Sequence, residues 1–118
     1  MNKCSLKESE ENIMEKMKTL KQLANNQVVV CDNISYGLYE YEFYSYGTLI
    51  ARYRTTRGIN EDNRDTLQLT DYYDYSRTTS KWLKVFLNEY CGLWYENTKE
   101  LRKMIEQGGF GGISIQVI

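Results

Sequence analysis

The side chains able to carry chemistry in this 118-residue chain are carboxylates, hydroxyls, thiols, lysines and arginines, because it contains no histidine. Carboxylate pairs stand at Glu40 and Glu42, at Glu61 and Asp62, and at Asp71 and Asp74. General acid–base work needs two carboxyls in different environments within reach of one substrate. Each of these pairs falls on a stretch that reads as solvent-facing strand or loop, so solvated surface charge accounts for them. Ser76, Thr78, Thr79 and Ser80 offer hydroxyl nucleophiles, but with no imidazole to activate them only Lys81 stands nearby as a base. Helix capping explains that hydroxyl run better.

The thiols and glycines point the same way. Cys4, Cys31 and Cys91 are far apart, odd in number and without a C-x-x-C spacing, so no zinc pattern is present. Free, mostly buried thiols in a reducing cytoplasm are the expectation. The glycine pairs between Gly108 and Gly112 lead into an apolar alternation rather than a helix, which is not the context of a phosphate loop. No catalytic residue, metal site or cofactor is expected, and the chain reads as a non-enzyme.

Two groups remain that could recognise something. Arg52, Arg54, Arg57 and Arg64 gather in one stretch, and Arg77, Lys81 and Lys84 in another, interleaved with tyrosine. Such residues stack on bases or on a partner's planar groups, although Glu40, Glu42, Glu61 and Asp62 offset much of the field. Tyrosine occurs eleven times and proline not at all. Tyrosine is both a good strand former and a residue enriched at binding surfaces. With a formal net charge of −1 the chain is neither a strongly basic nucleic-acid binder nor a strongly acidic mimic. No apolar run reaches the ~20 residues of a membrane span, and the N-terminal stretch lacks the apolar core of a signal peptide, so a cytoplasmic location is expected.

Elements must place these residues, and their spacing suggests which. Residues 5–25 read as a helix: Ser5 with Glu8 forms a capping box, and Leu6, Ile13, Met17, Leu20 and Ala24 fall on one stripe. Val28 to Cys31 reads as a short strand, with a turn at Asp32 and Asn33. From Leu38 to Tyr44, Tyr39, Tyr41 and Phe43 alternate with Glu40 and Glu42, and Leu49, Ala51 and Tyr53 alternate with Arg52 and Arg54 on the return. A three-residue loop Ser45-Tyr46-Gly47 would join them and set Glu40 opposite Arg52. Leu67 and Leu69 mark a third antiparallel strand, continued or edged by residues 71–75. A helix capped by Thr78 or Thr79 carries Trp82, Leu83, Val85, Phe86, Leu87 and Tyr90 into the core and stops at Cys91-Gly92. Leu93-Trp94-Tyr95 then seals the core, and Asn97 with Glu100 opens a helix to Gln107. Ile113, Ile115 and Val117 form a final strand, which pairs inside the sheet or builds a homodimer, since an open apolar edge would be adhesive. The expectation is one α+β domain over residues 1–118, an antiparallel sheet of about four to five strands against two to three helices, in the order α-β-β-β-β-α-α-β.

Two strings, S-Y-G-T-L-I-A from Ser45 to Ala51 and Y-S-R-T-T-S-K-W-L-K-V-F-L from Tyr75 to Leu87, resemble a core of small, mostly uncharacterised proteins from phages and mobile elements of low-GC Gram-positive bacteria. The likeness covers about the middle third of the chain. Those relatives are expected to carry histidine where this chain has Trp82, so no role of that histidine transfers. The resemblance implies phage–host conflict, in which proteins of this size include anti-CRISPRs, stoichiometric inhibitors of Cas nucleases. It implies a non-enzymatic inhibitor that blocks a host defence nuclease sterically. Interface hot spots favour Tyr, Trp and Arg, so Arg52, Arg54, Arg57, Tyr72, Tyr73 and Tyr75 are the candidate partner-binding residues. The alternative is a small nucleic-acid-binding regulator using the Arg52, Arg54 and Arg57 cluster.

Overall fold

A computed structural model describes residues 18–35, 37–56 and 65–118. Within them the chain forms a seven-stranded sheet with two α-helices and a π-helical turn. The strands are β1 (Lys18–Ala24), β2 (Gln27–Ser35), β3 (Leu38–Ser45), β4 (Thr48–Thr56), β5 (Asp65–Leu69), β6 (Gly109–Phe110) and β7 (Ile113–Val117). The helices are α1 (Arg77–Phe86), extended by a π-helical segment Leu87–Cys91, and α2 (Thr98–Glu106). Spatial order in the sheet is β1-β2-β3-β4-β5-β7-β6. The fold is therefore α+β as expected, with more strands than the four to five anticipated and a different element order.

The largest departure lies at the front. The segment Lys18–Ala24, expected as the end of a helix, is a strand paired antiparallel with β2, and residues 5–17 of that expected helix lie outside the described residues. Helix propensity is a weak prior that tertiary pairing overrides. Here the override comes from the β-branched run Val28–Val30, whose edge is satisfied by Leu20, Lys21 and Gln22 in register. Leu20, expected on an inward helical stripe, is instead 67% exposed. Asn26 adopts the left-handed conformation (φ 64°) in the hairpin turn between β1 and β2. Asp32 and Asn33 do not turn the chain; they continue β2 opposite Glu40 and Tyr39.

The β3–β4 hairpin also differs in detail. Tyr46 and Gly47 both have positive φ (53° and 79°), so the loop holds two residues and Ser45 pairs with Thr48. That is the primed turn whose twist suits a hairpin. An irregularity between Phe43 and Tyr44 then takes up Ile50, so that Glu40 faces Arg54 and Glu42 faces Arg52. The expected pairing of Glu40 with Arg52 survives only as a diagonal ion pair of 3.6 Å. The alternation itself holds, with Tyr41, Phe43, Ala51 and Tyr53 buried on the helix-covered face.

Residues 71–75 do not continue β5. Tyr73 N–H donates to the Thr70 carbonyl and Tyr75 N–H to the Tyr72 carbonyl, which winds them into turns. The cap of α1 is Ser76, not Thr78 or Thr79: its hydroxyl accepts from Thr79 N–H at 3.1 Å. Phe86 stacks on Phe43 at 5.6 Å between centroids, and Tyr90 approaches Tyr41 at 5.1 Å, which seats the helix on the sheet. Gly92 closes the π-helical turn at φ 70°, as the stop at Cys91-Gly92 required. Leu93 and Tyr95 seal the core, whereas Trp94 between them points out. Asn97 caps α2 by accepting from Glu100 N–H, and Glu100 reaches back to accept from Glu96 N–H at 2.8 Å.

The sheet is mixed rather than antiparallel. β7 lies parallel to β5, from Asp65 opposite Ile113 to Leu69 opposite Val117. The helices between them supply the crossover that a parallel pair needs. β7 is thus paired inside the sheet, with β6 on its other side. No helix among the described residues is long and apolar enough to cross a membrane.

Candidate functional site: a tyrosine-bearing end of the sheet

Three chain connections meet at one end of the sheet, and each does so for a local reason. The β1–β2 turn presents the Asn26 carbonyl, which accepts from Tyr46 N–H at 2.8 Å and ties the two hairpin turns together. Thr70, at the exit of β5, donates its hydroxyl to the Leu49 carbonyl at 2.8 Å and its N–H to the Ile50 carbonyl. Ser45, last residue of β3, lies with its Oγ 3.0 Å from Thr79 Oγ1 in the first turn of α1, and both side chains are buried. Ser76 Oγ donates to the same Thr79 hydroxyl at 3.2 Å. Ser45 and Thr79 belong to the two strings that carry the sequence resemblance. Their contact joins those strings in space and locks a hairpin tip to a helix cap.

What this end shows to solvent is tyrosine. Tyr46 at the hairpin tip is 61% exposed, Tyr72 52% and Tyr75 75%. The last two rings meet edge to face at 6.2 Å. Asp74 accepts from Arg102 Nη2 at 3.0 Å, which fastens the loop to α2. Asp71 and Arg77 are also exposed here and oppose one another in charge. The surface is aromatic, nearly neutral and held from several sides.

The expected partner-binding residues divide between this end and other places. Tyr72 and Tyr75 are in it. Tyr73 is half-buried and packs against the core instead. Arg52 and Arg54 project from the opposite face of the sheet in mid-strand, where Arg52 Nε donates to Glu42 at 3.0 Å and Arg54 Nε to Glu40 at 3.0 Å. Arg57 lies outside the described residues. The arginines and tyrosines therefore do not share one surface. The cross-strand register gives each of Arg52 and Arg54 a carboxylate of its own.

Two exposed aromatics are not legible as such in the sequence. Tyr46 reads as a loop residue, and its signal is a bulky side chain where a tight primed turn favours Asn, Asp or Gly. Trp94 reads as core because its neighbours are apolar; it is 59% exposed, with Lys84 Nζ 4.8 Å from its ring centroid.

At the other end of β4 and β5 the tyrosines are buried and titrate differently. Tyr53 donates its hydroxyl to Asp65 Oδ2 at 2.6 Å, and Thr55 donates to Asp65 Oδ1 at 3.0 Å. Burial, reinforced by the Asp65 hydrogen bond, pushes the Tyr53 phenol well above its ordinary value. Burial does the same to Tyr95, and it lifts the Cys91 thiol. A thiol so placed is a poor nucleophile. Cys91 is free, but Cys31 is disulfide-bonded, which corrects the expectation of free thiols throughout. Cys4 lies outside the described residues. Among the described residues no group of three or more Cys, Asp or Glu is placed to hold a metal ion.

Residues 1–107 match the family model described as Family of unknown function (DUF8033). No curated protein and no solved structure matches the chain.

Proposed function

We propose that this chain, which belongs to that family of unknown function, is a non-enzymatic binding protein whose tyrosine-bearing end engages a protein partner. Its resemblance to small phage and mobile-element proteins makes the partner a host defence nuclease, a Cas effector blocked sterically. The observation that carries the reading is the gathering of exposed Tyr46, Tyr72 and Tyr75 on connections pinned by hydrogen bonds. Tyrosine supplies large contact area at small rotamer cost, and a pre-ordered loop loses little entropy on docking. Charge balance at this end favours a protein over nucleic acid, which draws its affinity from uncompensated cations. The alternative based on Arg52, Arg54 and Arg57 is weakened because Glu42 and Glu40 already hold the first two.

The test is titration of the purified chain into DNA cleavage by a purified Cas effector loaded with its guide. Cleavage is expected to fall in proportion to added chain and to level off near one chain per nuclease. The double variant Y72A/Y75A is expected to need at least roughly tenfold more protein, since a hot-spot residue is worth about 2 kcal/mol or more. Undiminished cleavage at excess chain, with no complex on gel filtration, would sink the reading.

A further inference from the structure

Beneath the tyrosine-bearing end lies a side chain that the fold has not satisfied. Gln27 opens β2 on the inward face, in alternation with Val29 and Cys31, and is fully buried. Neither its Oε1 nor its Nε2 has a hydrogen-bond partner among the described residues. A primary amide carries two N–H donors and a carbonyl acceptor. Leaving them orphaned in the interior forfeits the hydrogen bonds that water makes to them in the unfolded chain. Buried polar groups in folded proteins are for that reason paired with protein atoms or with ordered water.

The surroundings are polar enough to hold such a water. Gln27 is paired across the ladder with Ser45, and both side chains point to the covered face. Ser45 Oγ lies against Thr79 Oγ1, which Ser76 also contacts, so hydroxyl oxygens with spare lone pairs sit on the neighbouring strand and in the first turn of α1. We infer that Gln27, Ser45 and Thr79 bind an internal water. It accepts from the Gln27 amide or donates to its carbonyl, and completes its coordination on the two hydroxyls. Internal waters make about three hydrogen bonds; here one is to Gln27, which has no other partner among the described residues, and two are to hydroxyls already joined to each other. The water thereby joins the start of β2 to the Ser45–Thr79 lock between hairpin and helix cap. This inference is independent of the partner reading above.

A crystal structure at better than about 1.5 Å, with a water-selective NMR experiment on ¹⁵N-labelled full-length protein, tests it. The expected result is a density peak within hydrogen-bond distance of Gln27 and a cross-peak from its side-chain NH₂ to water. Both are expected to be lost in Gln27→Leu, and the peak is expected to shift or vanish in Ser45→Ala. An amide bonded directly to protein groups with no water beside it overturns the inference. So does a water that stays in place in Gln27→Leu. If Gln27→Leu fails to fold, the wild-type density and the Ser45→Ala variant decide.

Discussion

The two ends of the β4–β5 pair use the same residue type to opposite purpose. At one end Tyr53 and Tyr95 are buried, and Tyr53 is tied to Asp65, beside the Cys91 thiol. At the other, Tyr46, Tyr72 and Tyr75 stand in solvent on hydrogen-bonded turns. A phenol suits both settings because it pairs a large apolar ring with one polar atom. What separates them is placement. Tyr53 takes an inward strand position and Tyr95 lies on a linker sealed against the core, whereas Tyr46, Tyr72 and Tyr75 stand out from turns in which only Tyr73 is drawn towards the core. Tyrosine abundance therefore says little until each ring is placed.

Substitutions should break that contrast unequally. Phe86→Ala removes a ring stacked between Phe43 and Tyr90, and is expected to cost about 3–5 kcal/mol in urea unfolding. A loss under ~1 kcal/mol would mean the helix is not the lid of this core. Tyr53→Phe keeps the ring and deletes the donor to Asp65; about 1.5–3 kcal/mol is expected, as for a hydrogen bond to a charged group. Equal stability of the two proteins would show that the 2.6 Å contact contributes nothing net.

The buried end also sets the alkaline limit. Tyr53, Tyr95 and Cys91 hold their protons more tightly folded than unfolded. Their contribution is complete below the unfolded values, about 8.5 for thiol and about 10 for phenol, and is lost as pH rises beyond them. Urea midpoints are expected to stay level from about pH 7 to about 8.5 and then to fall, with a shallower fall in Tyr53→Phe. The exposed end should behave differently. Tyr72→Ala and Tyr75→Ala are each expected within about 0.5 kcal/mol of wild type, like other surface changes. Tyr46→Asn relieves a tyrosine at φ 53° and is expected to leave stability level or raise it by up to ~1 kcal/mol. A clear loss from any of these three would make that ring part of the architecture.

Much of the middle of the molecule can be read directly. The alternation of Tyr41 and Phe43 with Glu40 and Glu42 survives because its period of two is a property of the strand itself. The Asn97–Glu100 cap and the Gly92 stop are equally local. The Lys18–Ala24 strand cannot be read, since Leu20 and Ala24 fit a helical stripe and only the valine strand beside them decides otherwise. For the candidate site, Tyr72 and Tyr75 are visible as aromatics flanking a helix cap. Tyr46 is not, and Arg52 and Arg54, expected beside Tyr72 and Tyr75, project from the other face of the sheet.

By itself the sequence determined the alternation from Leu38 to Tyr53, the Asn97 cap and the Gly92 stop, all set by interactions within a few residues. Tertiary structure alone decided the two-residue hairpin register that pairs Glu40 with Arg54, the parallel placement of β7 on β5, and the contact of Ser45 with Thr79. Each of these brings together groups far apart in the chain. Their energies depend on which edges, faces and hydroxyls remain unsatisfied once every other element has packed, and no short window of residues contains that information.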